Sequence, residues 1–240
     1  MKIVKKISEK AKDRLGKKIP TIAFLGDSVT QGCFEIYKIN ETSIETVFDK
    51  NCAYHNYVAK ILSVIYPEAP VNIINAGVSG DRAPGGLERL ERDVLAYNPD
   101  LTVVCFGLND CGNGIEAYTD ALRKIFIKLK AAGGEVIFMT PNMMNTSISC
   151  HVINSKEPMI TEIADTSFKS QTEGIMDSYI EAAKQTASEC GVPVCDVYEK
   201  WKTLSANGAD ITELLANKIN HPTREMNWLF AYSLVETMMQ

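Results

Sequence analysis

Short apolar runs alternate with helix-periodic segments along most of this chain, and this alternation constrains the fold more than any other feature. The strand-like runs are Thr21–Leu25, Val71–Asn75, Leu101–Phe106, Glu135–Thr140 and Val192–Val197. The helix-like segments are Tyr54–Tyr66, Gly86–Tyr97, Glu116–Ala132, Gln171–Cys190 and a last one from about Thr223 to the end. Strands that alternate with helices predict a parallel sheet covered on both faces. We therefore expect an α/β fold: a three-layer α/β/α sandwich with a doubly wound, five-stranded parallel sheet.

The N-terminal residues have a different pattern, with lysines between regularly spaced apolar side chains. The apolar residues recur at four-residue spacing: Ile3, Ile7, Ala11 and Leu15. This spacing predicts a short basic amphipathic helix within residues 1–18, packed on its own domain. No repeat or linker divides the rest of the chain, so we expect one domain over residues 1–240.

Composition restricts the class of protein. The formal net charge is -5, which does not mark a nucleic-acid binder. No apolar run approaches the roughly 18 residues of a membrane helix, so no membrane insertion is expected. The seven cysteines form no regular pattern and no CxxC pair, which favours reduced thiols in a cytoplasmic protein and argues against a zinc site. The sequence leaves open whether the chain forms a homo-oligomer.

Two long segments, Gln31–Ala53 and Asn142–Ser170, have no clear periodicity. Each follows a predicted strand, so both should lie over the carboxyl edge of the sheet. Ligands of open α/β sheets bind at that edge, and long loops there usually build the pocket. These segments are therefore expected to shape the substrate site.

Four spots after predicted strands or before a helix carry glycine or polar residues. The first strand ends at Gly26-Asp27-Ser28, and the others contain Gly80, Asn109 and His221. Each spot has an ordinary structural interpretation, since such residues also form turns and helix caps. Acyl transfer, however, needs a nucleophile, a base and donors for an oxyanion. Ser28 with His221, and Gly80 with Asn109, could supply these groups together.

Four sequence blocks carry a resemblance to a known family. They are GDSVTQG around Ser28, NAGVSGDRAPGGLERL with Gly80, GLND with Asn109, and Lys-Ile-Asn-His-Pro at 218–222. In this order and spacing the chain resembles the SGNH hydrolases, a branch of the GDSL esterase/lipase group, from about Thr21 to the C-terminus.

The resemblance implies a mechanism and a fold. It implies Ser28 as nucleophile and His221 as base, with an oxyanion hole formed by the N–H groups of Ser28 and Gly80 and the Asn109 amide. It also implies a flavodoxin-like sandwich and ester hydrolysis without a metal or organic cofactor.

One position departs from the family pattern. The usual acid stands three residues before the histidine, where this chain has Lys218, which cannot accept the imidazole N–H. Asn217 could accept it instead, as could Asp210, Glu213 or a backbone carbonyl. We hypothesise a Ser28–His221 dyad with a neutral or displaced third member.

These observations favour a cytoplasmic serine esterase. We expect a small-molecule substrate, a short-chain acyl (acetyl) ester of a carbohydrate or other small polar alcohol, because the strand-end loops are polar. The alternatives are a lysophospholipase or thioesterase of the same family, or a non-catalytic ligand-binding protein on the same scaffold.

Overall fold

The elements follow the alternation seen in the sequence. A computed structural model describes residues 1–40 and 43–240, with side chains at 1–37 and 46–240. The strands are β1 (Thr21–Gly26), β2 (Cys33–Asn40), β3 (Ser43–Phe48), β4 (Asn72–Gly77), β5 (Leu101–Cys105), β6 (Glu135–Met139) and β7 (Val194–Cys195). The helices are α1 (Lys2–Lys12), α2 (Ser28–Gln31), α3 (Tyr54–Ile65), α4 (Ala83–Glu88), α5 (Leu90–Asp93), α6 (Ile115–Ala131), α7 (Cys150–Ser155), α8 (Pro158–Thr172), α9 (Ile175–Glu189), α10 (Val197–Ala206) and α11 (Asn227–Met239).

The five predicted strands form one parallel sheet in the order β4-β1-β5-β6-β7. Counted along the chain this is the 2-1-3-4-5 order of flavodoxin-like folds, whose ligand site lies where the order reverses, between the first and third strands. Gly26 at the end of β1 is in register with Gly77 of β4 and Cys105 of β5. The predicted α/β sandwich is confirmed, and the segments after β1, β4 and β5 begin at one edge.

Buried side chains cover both faces of the sheet. In β1, Ile22 and Phe24 belong to one core cluster while Ala23 and Leu25 belong to the other, as the two-residue period of a strand requires. The first cluster also takes side chains of α1, α3, α10 and α11, and the second takes the apolar face of α6. The fully buried strands β1 and β5 lie between the helical layers and give the sheet edge a rigid base.

The two segments without sequence periodicity contain regular structure. The first contains an antiparallel hairpin of β2 and β3, and residues 41–42 between the two strands lie outside the described residues. The second contains α7 and most of α8. The irregularly paired hairpin and the six-residue α7 have too few alternations or turns to give a clear period.

Several helix boundaries differ from the sequence prediction. The helix expected over Gln171–Cys190 is two helices that meet at Gly174, whose φ of 78° ends a helix readily. The segment 86–97 contains the end of α4, all of α5 and a short 3-10 helix (Leu95–Tyr97) rather than one helix, and the final helix begins at Asn227 rather than near Thr223. Helix ends depend on capping contacts that the apolar period does not encode.

One side chain of the N-terminal stripe differs from its predicted burial. Leu15 is fully exposed because the N-terminal helix ends at Lys12, whereas Ile3 and Ile7 are buried as expected. In α3, His55 is 3% exposed and packs near the ring of Phe24. Across the described residues, no helix combines the length and apolar character needed to cross a membrane.

Candidate active site

The turn after β1 positions the candidate serine. The Asp27 Oδ1 atom accepts the Val29 N–H at 3.0 Å, so Asp27 caps the short helix that Ser28 opens. A Cβ atom at Gly77 would lie 2.2 Å from the Gln31 nitrogen, so only glycine lets this helix pack on the end of β4. The Gly-Asp-Ser turn is therefore fixed by its own cap and by the neighbouring strand.

Ser28 and His221 meet above this edge. The Ser28 Oγ atom lies 2.9 Å from His221 Nε2, although the two residues are far apart in the sequence. Each is 4% exposed, so bulk water scarcely competes for the contact. This is hydrogen-bond distance for a hydroxyl and a general base.

The second ring nitrogen of His221 faces a backbone carbonyl. Its Nδ1 atom lies 2.9 Å from the Phe34 oxygen in β2. A carbonyl can only accept, so Nδ1 carries the proton and Nε2 has a free lone pair for the Ser28 hydroxyl. The contact selects the tautomer that general-base chemistry requires.

Burial dominates the electrostatics of His221. It lowers the pKa of the imidazole to about 4, while the Phe34 carbonyl and the charge of Glu35 act in the opposite direction. His221 is consequently neutral at neutral pH, as a base must be before it takes a proton.

Asn217, the predicted orienting group, does not contact the imidazole. Its Oδ1 atom accepts the backbone N–H groups of Ile219, Asn220 and His221 at 3.0, 2.9 and 2.9 Å. Asn217 thus orders the backbone of the loop that carries His221, which is a different task from fixing the ring.

Lys218 forms an ion pair with Glu213. Its Nζ atom binds Glu213 Oε2 at 2.8 Å, and its backbone has a φ of 59°. Of the other acceptors considered, Glu213 is taken by this ion pair and Asp210 Oδ1 accepts the Glu213 N–H at 3.3 Å. The Phe34 carbonyl therefore occupies the role for which the sequence left several acceptors open.

Gly80 and Asn109 lie in loops after β4 and β5, and one contact links them. The Asn109 amide donates to the Asp81 carbonyl at 3.0 Å, and Gln31 Oε1 accepts the Ser79 N–H at 2.6 Å. These bonds fix the backbone on both sides of Gly80, whose φ of 77° strongly favours glycine. The Asn109 amide keeps a second N–H beyond the one given to Asp81.

Carboxylates lie behind the serine turn. The pKa of Asp27 is raised to about 7, chiefly by burial and also by the charges of Asp110 and Asp81, while the Val29 N–H acts in the opposite direction. Burial also raises the pKa of Asp110 to about 6. Across the residues that the structure describes, no group of three or more His, Cys, Asp or Glu could hold a metal ion.

The chain matches one family along most of its length. A sequence profile of the GDSL-like Lipase/Acylhydrolase family matches residues 24–229. The chain belongs to this family. It is a carboxylic ester hydrolase of the GDSL type, as the names of its curated relatives also indicate.

Two curated relatives of this GDSL protein are esterases. An acetylxylan esterase from Geobacillus stearothermophilus is 26% identical over 180 residues, which cover 70% of this chain and 71% of the relative. An arylesterase from Vibrio mimicus is 34% identical over 71 residues, 29% of this chain and 36% of the relative.

Solved structures share the GDSL fold. The Geobacillus acetylxylan esterase superposes with a TM-score of 0.66 at 22% identity, covering 92% of this chain and 96% of that one. A putative GDSL-like lipase from Parabacteroides merdae gives a TM-score of 0.70 at 20% identity, covering 93% and 97%.

Three residues of this GDSL site were not predicted from the sequence. Phe34 supplies a backbone oxygen, which any residue could provide, so no sequence signal marks it. Arg89 binds the Gly26 carbonyl at 2.9 Å and Asp81 at 2.7 Å, joining the serine turn to the Gly80 loop. Arg224 binds Glu35 and Asp49 at the base of the β2–β3 hairpin. Its position three residues after His221 was the sequence signal that could have indicated a role in the site.

Proposed function

We propose that the protein hydrolyses short-chain acyl esters, above all acetyl esters, of a carbohydrate or another small polar alcohol through an acyl-enzyme on Ser28. The observation that carries this proposal is the 2.9 Å contact from Ser28 Oγ to the unprotonated Nε2 of His221. A serine hydroxyl is a weak nucleophile until a neighbouring base accepts its proton.

Acylation begins when Nε2 of His221 takes the Ser28 proton. The Oγ atom bonds to the ester carbonyl carbon, and the carbonyl oxygen becomes an oxyanion. The imidazolium then gives its proton to the alcohol oxygen as the carbon–oxygen bond breaks. Because the imidazole is neutral at rest, it can accept this proton without first losing one.

The oxyanion is stabilised by donors fixed before the substrate arrives. We assign this role to the N–H groups of Ser28 and Gly80 and to the Asn109 amide. The bonds of Gln31 to Ser79 and of Asn109 to Asp81 support the assignment, because they fix both sides of Gly80. Such preorganised donors contribute roughly 10²–10³ in rate each in well-studied hydrolases.

Deacylation repeats the chemistry with water. His221 removes a proton from water, the resulting hydroxide attacks the acyl carbon, and the proton returns to Ser28 Oγ as the acid leaves. No redox step or external co-reactant other than water is needed.

The imidazolium in these steps has no carboxylate on Nδ1. Structures of the Geobacillus acetylxylan esterase include catalytic mutants at an aspartate and a histidine three positions apart. Lys218 and His221 have this separation here. This supports a mechanism in which the present chain uses the Phe34 carbonyl in place of an acid.

One observation favours a polar alcohol and a short acyl group. The relative that matches 70% of this chain is named for an acetylated polysaccharide. A cavity of about 530 Å³ lies beside Asn217 and Lys218, just before His221, and both polar and apolar side chains line it, Glu35 and His151 among the former and Ile160 among the latter.

An acyl-length series tests the proposal. We expect kcat/KM for p-nitrophenyl esters to be highest for acetate and to fall from butyrate to decanoate, and acetylated xylooligosaccharides to release acetate. The Ser28→Ala variant should hydrolyse neither the p-nitrophenyl esters nor the acetylated xylooligosaccharides. A maximum at long chains would favour a lysophospholipase, a maximum with acyl thioesters a thioesterase, and wild-type protein without any turnover would overturn the proposal.

A further inference from the structure

Arg224 joins both strands of the hairpin that carries Phe34. Its Nε atom lies 3.0 Å from Asp49 Oδ2, just after β3, and its terminal nitrogens lie 2.7 and 3.2 Å from the Glu35 carboxylate in β2. Three of its five donors are therefore used, and they tie together both ends of the hairpin at its base.

The same guanidinium packs on Phe34. Its Cζ atom lies 4.4 Å from the centre of the Phe34 ring, in the range of a cation–π contact. Phe34 is 1% exposed, and its carbonyl accepts the His221 Nδ1–H. Arg224 thus contacts the side chain of Phe34, and His221 binds its backbone oxygen.

We propose that Arg224 is a positioning residue for catalysis. With Glu35 and Asp49 it holds the Phe34 carbonyl against His221, and this carbonyl takes the place of the missing acid. This inference rests on the proposed Ser28–His221 mechanism. We call Arg224, Glu35, Asp49 and Phe34 the Arg224 network.

The hairpin needs such support. β2 and β3 form a sheet of their own, separate from the five-stranded sheet. Isolated two-stranded hairpins are marginally stable, so a carbonyl on one of them has no inherent precision. A displacement of about 1 Å at a catalytic contact can cost on the order of 10²-fold in rate.

A merely structural role predicts a different pattern of effects. The side chains of Arg224, Glu35 and Asp49 are 31%, 30% and 30% exposed, and ion pairs this exposed add little to global stability. A positioning role therefore predicts that removal of Arg224 lowers kcat while the stability of the fold changes little. A direct role in binding substrate would instead appear as a higher KM.

The test compares Arg224→Met with a matched control, Arg123→Met. Arg123 makes a similarly exposed ion pair with Glu189 at 2.7 Å, on helices that do not carry the site. For each variant, kcat and KM for p-nitrophenyl acetate, the melting temperature and the rate of fluorophosphonate labelling of Ser28 are measured.

We expect Arg224→Met to lower kcat and the labelling rate by about tenfold or more, with KM within about twofold and a melting temperature close to that of Arg123→Met. Arg123→Met should keep wild-type kinetics. Arg224→Lys, which keeps the charge but cannot bind both carboxylates in the same way, should fall between the wild type and Arg224→Met.

Wild-type kcat in Arg224→Met, or a loss confined to KM, would overturn the positioning role. If Arg224→Met does not fold, Glu35→Gln decides: reduced kcat at wild-type KM supports the proposal, and unchanged kcat overturns it. An inactive wild type that does not react with the fluorophosphonate would instead contradict the proposed function itself, so the two failures are distinguishable.

Discussion

The backbone oxygen of Phe34 lies 2.9 Å from Nδ1 of His221, the nitrogen that faces a carboxylate in the usual family pattern. A carbonyl fixes the tautomer as well as a carboxylate does, but it brings no negative charge to the imidazolium. The closest compensation is Glu35, whose charge favours protonation of His221 even though its carboxylate is bound to Arg224. The Phe34 carbonyl therefore orients His221, whereas the charge of Glu35 helps to stabilise its protonated form.

An acid at position 218, where the family usually has one, should not increase the activity of this protein. Asp tolerates the left-handed backbone at this position, so Lys218→Asp should fold. The Nδ1 proton is already engaged by Phe34, so we expect kcat to stay within about twofold of wild type. Steady-state kinetics check this, and a tenfold increase would show that the carbonyl is a poor substitute that an acid can displace.

Asn217 should affect activity through the backbone of its loop. Asn217→Ala leaves three N–H groups without their acceptor, so we expect a loss of about 1–2 kcal/mol in the free energy of unfolding and a lower kcat. Asn217→Asp retains an acceptor oxygen and should lose less of both. Urea unfolding and kinetics compare the two variants; equal losses would contradict the assigned role.

The low pKa of His221 sets an acid limit for activity. Only the neutral imidazole can accept the Ser28 proton, and burial lowers its pKa to about 4. The kcat/KM profile, which reports groups of the free enzyme, should therefore lose its His221-dependent activity as the pH falls through about 4 rather than near 6.5. Brief assays between pH 3.5 and 7 test this in Asp27→Asn, which removes a second titrating group beside Ser28. An acid limb near 6.5 would contradict it.

Asp27 should make the protein less stable as the pH rises. Its folded pKa of about 7 lies above the ordinary aspartate value of 3.8, so the folded state binds more protons. The associated stability is complete below about pH 4 and is lost as the pH rises through about 7.

Asp27→Asn keeps an acceptor for the Val29 N–H and removes the charge. Between pH 5 and pH 8, we expect wild type to lose on the order of 3 kcal/mol more than this variant, because the slope of about 1.4 kcal/mol per pH unit holds up to about pH 7. Urea unfolding at the two pH values measures the difference. Parallel pH dependence in both proteins would mean that Asp27 is not buried in this way.

The sheet was predictable because buried parallel strands have a strong sequence signal. All five strands were found from apolar runs such as Leu101–Phe106, and their alternation with helices fixed the fold class. The break at Gly174 and the β2–β3 hairpin were missed. A positive φ at one glycine and an irregular antiparallel pairing leave no regular period in the sequence.

Some residues of the candidate site were also predictable from the sequence, and others were not. Ser28, Gly80, Asn109 and His221 come from short motifs at strand ends or before a helix, so residue identity indicated their chemistry. Phe34 acts through its backbone, and a carbonyl has no residue signature. Asn217 was selected for its amide oxygen, but three backbone N–H groups occupy that oxygen in the folded loop.

The most direct test of the dyad is covalent labelling of the purified protein by a fluorophosphonate, followed by peptide mapping with mass spectrometry. We predict a single adduct on Ser28 in the wild type, a labelling rate at least about 10³-fold lower in His221→Ala, and no adduct in Ser28→Ala. An adduct on another residue, or wild-type labelling of Ser28 in His221→Ala, would contradict the Ser28–His221 mechanism.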